Sequence, residues 1–133
     1  MLTTLSQEEF KTSALQFLNA VSERDYKTFL RYFREDIEFQ AVLPDGKVFN
    51  DVSSFLESQK TWFEGTTGSF NFKLQKTVVS SELGAAFALI NYKNVDASGV
   101  PFNLEIYTSF IFCNIDGNWI LIHDQNTVLN AAK

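Results

Sequence analysis

The sequence predicts an α+β domain in which helices lie on one face of a curved, largely antiparallel sheet. Three observations carry that expectation. Segments in the first half place apolar residues at helical spacing, whereas from Phe70 onward they alternate as strands require. The last quarter, Pro101 to Thr127, holds two apolar runs around Asp116-Gly117. That dipeptide is a strong hairpin signal, because a type I′ turn needs positive φ at both central residues. At 133 residues the chain is long enough for a real core and reads as a single domain over 1–133.

Ser6-Gln7-Glu8-Glu9 has the form of a capping box, with Ser6 capping the first helix and Glu9 reaching back to its amide. Behind it Phe10, Ala14, Phe17, Leu18 and Val21 share one face of a helix ending near Ser22-Glu23-Arg24. Asp25 suits the N-cap of a second, shorter helix, with Tyr26, Phe29, Leu30 and Phe33 inward and Tyr32 beside that stripe. Asp36–Leu43 then changes period. Ile37, Phe39, Ala41 and Leu43 alternate with Glu38, Gln40 and Val42, a strand with one polar face. Pro44-Asp45-Gly46 is a turn and Lys47-Val48-Phe49 a short returning strand. Asp51 caps a third helix, whose apolar positions are Val52, Phe55, Leu56, Trp62 and Phe63 and whose end is Gly65. After the loop Thr66-Thr67-Gly68-Ser69, Phe70, Phe72 and Leu74 alternate with Asn71, Lys73 and Gln75. Ser80–Gly84 turns the chain into a strand over Ala85–Val95, and Asp96–Pro101 is the loop before the closing hairpin.

Fourteen Phe point to a core of large rings, around which an internal cavity is easier to leave. The net charge of −5 argues against nucleic acid or an anionic membrane surface as partner, since both demand a basic patch. The single cysteine, Cys113, excludes an intramolecular disulfide, and its place among Phe and Ile reads as a buried, inert thiol. Met1–Ser6 is followed by Glu8-Glu9 rather than by a basic and then an apolar segment, so no export signal is read. No uncharged apolar run approaches the ~20 residues that span a bilayer. A soluble, cytoplasmic protein is expected. One histidine, one cysteine and scattered carboxylates offer too few ligands for a metal site, and no phosphate loop or nucleotide motif calls for a cofactor.

With Asp116 and Gly117 as the two turn residues, Cys113 faces Ile120, Phe110 faces His123, Ser109 faces Asp124, Thr108 faces Gln125 and Tyr107 faces Asn126. Alternation then makes two surfaces. One carries Trp119, Leu121, His123 and Gln125 with Phe112, Phe110 and Thr108. The other gathers Asp124 and Asn126 with Tyr107 and Glu105, where two carboxylates near a phenol could shift one another's pKa and work as an acid–base pair. His123, the one histidine, is the side chain whose ordinary pKa suits proton transfer near neutrality. A single bulge in the last strand would swap the faces and put His123 with Tyr107 instead.

Two stretches carry a family resemblance: FLNAVSERDYKTFLRYFREDIEFQ, an amphipathic helix leading through a short helix into an acidic strand, and the ending DGNWILIHDQNT, similar to a Gly-x-Trp-x-x-x-His hairpin pattern. With the order of elements and the length, the whole chain resembles the nuclear-transport-factor-like superfamily, also called cystatin-like or SnoaL-like. The resemblance implies a cone-shaped fold of three N-terminal helices packed on a strongly bent mixed or antiparallel sheet ending in a long hairpin. It also implies a pocket inside the cone and homodimerisation through the sheet. In ketosteroid-isomerase-like members a Tyr on the first helix donates a proton and a carboxylate near the end of the first strand is the base. The positions that line up here are Phe17 and Ala41, neither of which transfers a proton, so that mechanism is not expected and the pocket becomes more apolar.

The expected function is therefore a small-molecule-binding protein for a small apolar or aromatic ligand, an enzyme of the cyclase, dehydratase or isomerase type being the activity that the resemblance offers. His123, Asp124 and Tyr107 are the candidate catalytic residues, with Phe17, Tyr32, Trp62, Glu105, Phe110 and Asn126 around the pocket. The alternative is a non-catalytic homodimerisation or protein-interaction module, as in nuclear transport factor itself or kinase association domains of this fold.

Overall fold

In the computed structural model, which describes residues 4–65 and 67–130, helix α1 runs Thr4–Ser22 and a one-turn helix α2 runs Tyr26–Leu30. Two short strands, β1 (Gln40–Val42) and β2 (Val48–Phe49), precede helix α3 (Val52–Gly65). Four long strands complete the chain: β3 (Ser69–Val79), β4 (Leu83–Val95), β5 (Pro101–Ile115) and β6 (Asn118–Val128). The sheet order among the described residues is β2-β1-β6-β5-β4-β3. All neighbours are antiparallel except β1 and β6, which run parallel. This mixed sheet under three helices is the α+β, cystatin-like architecture expected.

Local chemistry explains most boundaries. Asp25 caps α2, its carboxylate accepting from the Thr28 amide at 3.1 Å and the Thr28 hydroxyl at 2.7 Å; those two bonds hold its carboxyl below the usual range. Asp51 does the same for α3, accepting from the Ser54 amide at 2.8 Å. Asp116 and Gly117 take φ of 53° and 87°, the twin positive values of the expected turn. The first helix begins ahead of the expected cap: α1 already includes Thr4, so Ser6 lies inside its first turn. The strand expected from Asp36 starts only at Gln40, because Asp36 is drawn into a local bidentate pair with Arg34 at 3.0 and 2.6 Å. No helix among the described residues is long and apolar enough to cross a membrane.

The core lies between the helices and the inner face of the sheet. Phe17 is its hub: its ring stacks on Phe29 at 5.5 Å between centroids and meets Tyr32, Phe110 and Phe112 edge-on at 5.3 to 5.5 Å. A second aromatic run, Phe29–Phe33–Phe39–Phe55, ties both later helices to β1. Beside this network a cavity remains.

Candidate functional site

The hairpin register differs from the expected one at a single residue. Cys113 does pair with Ile120, and Phe112 with Leu121, but Ile111 then pairs with His123, leaving Ile122 as a bulge. From there on Phe110 faces Asp124, Thr108 faces Asn126 and Tyr107 faces Thr127. The two faces are exchanged beyond the bulge, because side-chain direction has a period of two residues and one extra residue reverses it. Asp124 and Asn126 therefore point inward with Phe110 and Thr108, while His123, Tyr107 and Glu105 lie on the outer face.

The inward pair meets a cavity of about 280 Å³ between the helices and the sheet. Its wall is made by Phe17, Leu18 and Val21 of α1, Phe29 of α2, Phe55 and Trp62 of α3, and Phe70, Ile90, Leu104, Ile106 and Phe110 of the long strands. Ser58, Gln59, Tyr92, Asp124 and Asn126 supply its polar atoms. Of the expected pocket residues, Phe17, Trp62, Phe110 and Asn126 line this space. Tyr32 lies on the other side of Phe17, in a surface groove with Gln16 and Asn19. Glu105 is exposed, beside a shallow recess with Asn71 and Leu89. His123 lines a separate surface depression with Glu38, Asn50 and Ile111, and Tyr107 is 36% exposed. The expected grouping of Tyr107 and Glu105 with Asp124 is thus corrected by the bulge: the three do not share a site.

Asp124 is 8% exposed. Parallel pairing sets Ala41 directly beside it. Asn126 Nδ2 donates to Asp124 Oδ1 at 3.0 Å and to the Val42 carbonyl at 2.8 Å. The fully buried Thr108 hydroxyl donates to Asn126 Oδ1 at 2.8 Å. Among the described residues nothing else hydrogen-bonds the Asp124 carboxyl, and no cation lines the cavity. Burial pushes the carboxyl up to about 7, against the smaller opposing effect of the Asn126 bond. A carboxylic acid so placed exists in both protonation states near neutrality, the condition for a general acid or base.

Thr108, Ser58, Gln59 and Tyr92 were not singled out from the sequence. Thr108 had a signal, a hydroxyl amid apolar strand residues, but the expected register set it opposite Gln125. No cluster of three His, Cys, Asp or Glu side chains that could hold a metal occurs among the described residues. The Cys113 thiol is half-buried, and burial raises its pKa, which keeps it protonated.

Comparison with curated proteins finds no match. Solved structures share the fold. A candidate dehydratase of the NTF2-like family from Streptomyces avermitilis superposes with a TM-score of 0.77 at 16% identity, over 93% of this chain and 96% of that one. A ketosteroid isomerase-like protein from Erwinia carotovora atroseptica gives 0.74 at 14% identity, over 91% and 94%. The association domain of C. elegans CaMKII gives 0.64 at 14% identity, over 91% and 95%. Residues 11–130 match the SnoaL-like domain, a span that takes in the helices, the cavity and the closing hairpin: the chain belongs to the SnoaL-like domain family.

Proposed function

We propose that the chain binds a small, mostly apolar molecule in this cavity and that Asp124 moves a proton on it, in an isomerisation or dehydration. The observation that carries the reading is a buried carboxyl, the one such carboxyl among the described residues, poised near neutrality and facing a mostly apolar space. As carboxylate, Asp124 takes a proton from a carbon next to a carbonyl of the ligand; as the acid so formed, it returns that proton to another carbon or to a departing hydroxyl. Asn126, anchored by Thr108 and Val42, holds the carboxyl in place. Phe17 and Ala41 leave the donor and base positions of ketosteroid-isomerase-like members without a titratable group, so β6 supplies the chemistry instead of α1 and β1. The cavity, at about 280 Å³, falls just below the ~300–1,000 Å³ typical of ligand sites.

A thermal-shift panel of steroids, polyketide-like aromatics, terpenoids and short carboxylic acids tests this. A ligand at 100 times its Kd stabilises by about 2.7 kcal/mol. At least one compound should raise the melting temperature, with a response that changes across pH 7 in the wild type and not in Asp124→Asn. Silence across the panel, or a carboxyl that titrates near 4 by carbon-13 NMR, would sink the reading.

A second, compatible reading is favoured by the outer sheet face. Val78 and Leu83 are 54% and 49% exposed there, next to Ala85, Phe87, Leu89 and Ile111. Exposed apolar area of this kind is covered in most proteins by a partner, and the similarity to an association domain supports a second copy of this chain as that partner. Light scattering should give twice the chain mass, falling to one chain mass in Leu83→Lys; a monomeric wild type excludes the pairing.

A further inference from the structure

Arg24 is a charged group that proton transfer at Asp124 does not use. It follows α1 with φ of 56°, the left-handed region where glycine is the least strained residue. Asp25 N–H donates to the Ala20 carbonyl at 2.8 Å and Arg24 N–H to the Val21 carbonyl at 3.2 Å, the bond pair that closes a helix in a Schellman motif. This fixes Arg24 beside Val21. Its guanidinium carbon stands 5.8 Å from the Trp62 ring centre, and neighbouring Ser22 Oγ donates to the Phe70 carbonyl at 2.8 Å. Val21, Trp62 and Phe70 are all cavity-wall residues, and Arg24, which is not one of them, packs on Trp62 beside that end of the wall.

The Nε and Nη2 atoms of Arg24 are shut off from solvent and have no hydrogen-bond partner among the described residues. Together they form one edge of the guanidinium fork, the edge that can hold both oxygens of a carboxylate at once. A buried donor pair without an acceptor is costly, and a carboxylate is the acceptor that best relieves it.

The cavity wall runs from this end to Asp124. Leu104 pairs with Tyr92 near Trp62, and Phe110 pairs with Asp124. The six residue steps of β5 from Leu104 to Phe110 span about 20 Å, with Ile106 and Ile90 between them. We propose that Arg24 anchors the carboxylate of an elongated, apolar monocarboxylic acid of the medium-chain fatty acid class, whose chain lies along Ile90 and Ile106 toward Asp124. Arg24 swings about its side-chain torsions to bring the unpaired edge to the carboxylate. This assignment rests on the reading of the cavity as a ligand site and concerns binding alone, since a simple fatty acid brings no carbonyl to Asp124.

Calorimetric titration of the full chain with decanoate and with decan-1-ol, in wild type, Arg24→Lys and Arg24→Gly, tests it. Glycine suits the backbone at this position, so Arg24→Gly should melt within a few degrees of the wild type. Wild type should bind decanoate about tenfold or more tighter than the alcohol. Arg24→Gly should bind the alcohol as before and lose the preference, and Arg24→Lys should keep part of it. Alcohol binding without a preference for the acid, or a preference that survives in Arg24→Gly, overturns the anchor while leaving the cavity reading intact. Binding of neither compound overturns both.

Discussion

The inner and outer faces of the β5–β6 hairpin carry polar residues in comparable number, yet their surroundings differ. Inside, Asp124, Asn126 and Thr108 form one continuous hydrogen-bonded set amid Phe17, Phe110 and Ile106. Outside, His123, Tyr107 and Glu105 stand at or near the surface, with His123 in one shallow depression and Glu105 in another. The difference shows that residue type does not decide which polar group becomes chemically unusual. Burial without a counter-charge raises the Asp124 carboxyl, whereas the outer groups stand at or near the surface. A histidine would have been the first choice for proton transfer near neutrality; the sheet instead turned an aspartate into a group with the same poise.

The contrast can be broken at the hub of the inner face. Phe17→Ala removes the ring shared by Phe29, Tyr32, Phe110 and Phe112 and should cost about 3–5 kcal/mol in denaturant unfolding. A loss below 1 kcal/mol would mean that the aromatic network is not what supports the cavity wall.

Asp124→Asn sharpens the comparison through pH. Between an unfolded value of ~3.9 and a folded value of about 7, the folded chain keeps a proton that the unfolded chain has released. Wild-type stability should therefore fall as pH rises through that window and stay low above it. Relative to the wild type, Asp124→Asn should gain stability from pH 4 to pH 7 by on the order of a few kcal/mol, then hold level. Parallel pH profiles would show that the carboxyl is not desolvated.

The smallest effect belongs outside. His123→Ala should change stability by no more than about 0.5 kcal/mol and leave ligand responses in the cavity unaltered. A loss of ligand response in that variant would place the working face of the hairpin on the opposite side.

Much of the fold was legible because its signals are local. Period changes marked the helices and the long strands, Asp25 and Asp51 announced the helices they cap, and Asp116-Gly117 announced the hairpin, all through interactions within a few residues. Phe17, Trp62, Phe110 and Asn126, each on an apolar stripe or beside one, line the cavity. The grouping of Asp124 with Tyr107 and Glu105 was not correct. It depended on counting residues outward from the turn, and Ile122, the extra one, is as apolar as its neighbours and carries no glycine to mark a bulge.

By itself, then, the sequence determined the order of elements, the aromatic core, the turn and the family to which the chain belongs. Only the tertiary structure decided which face of β6 looks into the cavity. The free edge of β6 is taken first by the Tyr32 carbonyl, which accepts from the Leu121 amide at 2.7 Å, and then by β1, whose pairing begins at His123. Ile122 lies between those two attachments and is left over as the bulge. Both partners are distant in sequence, so the residue that turns Asp124 inward is chosen by contacts that no local pattern encodes.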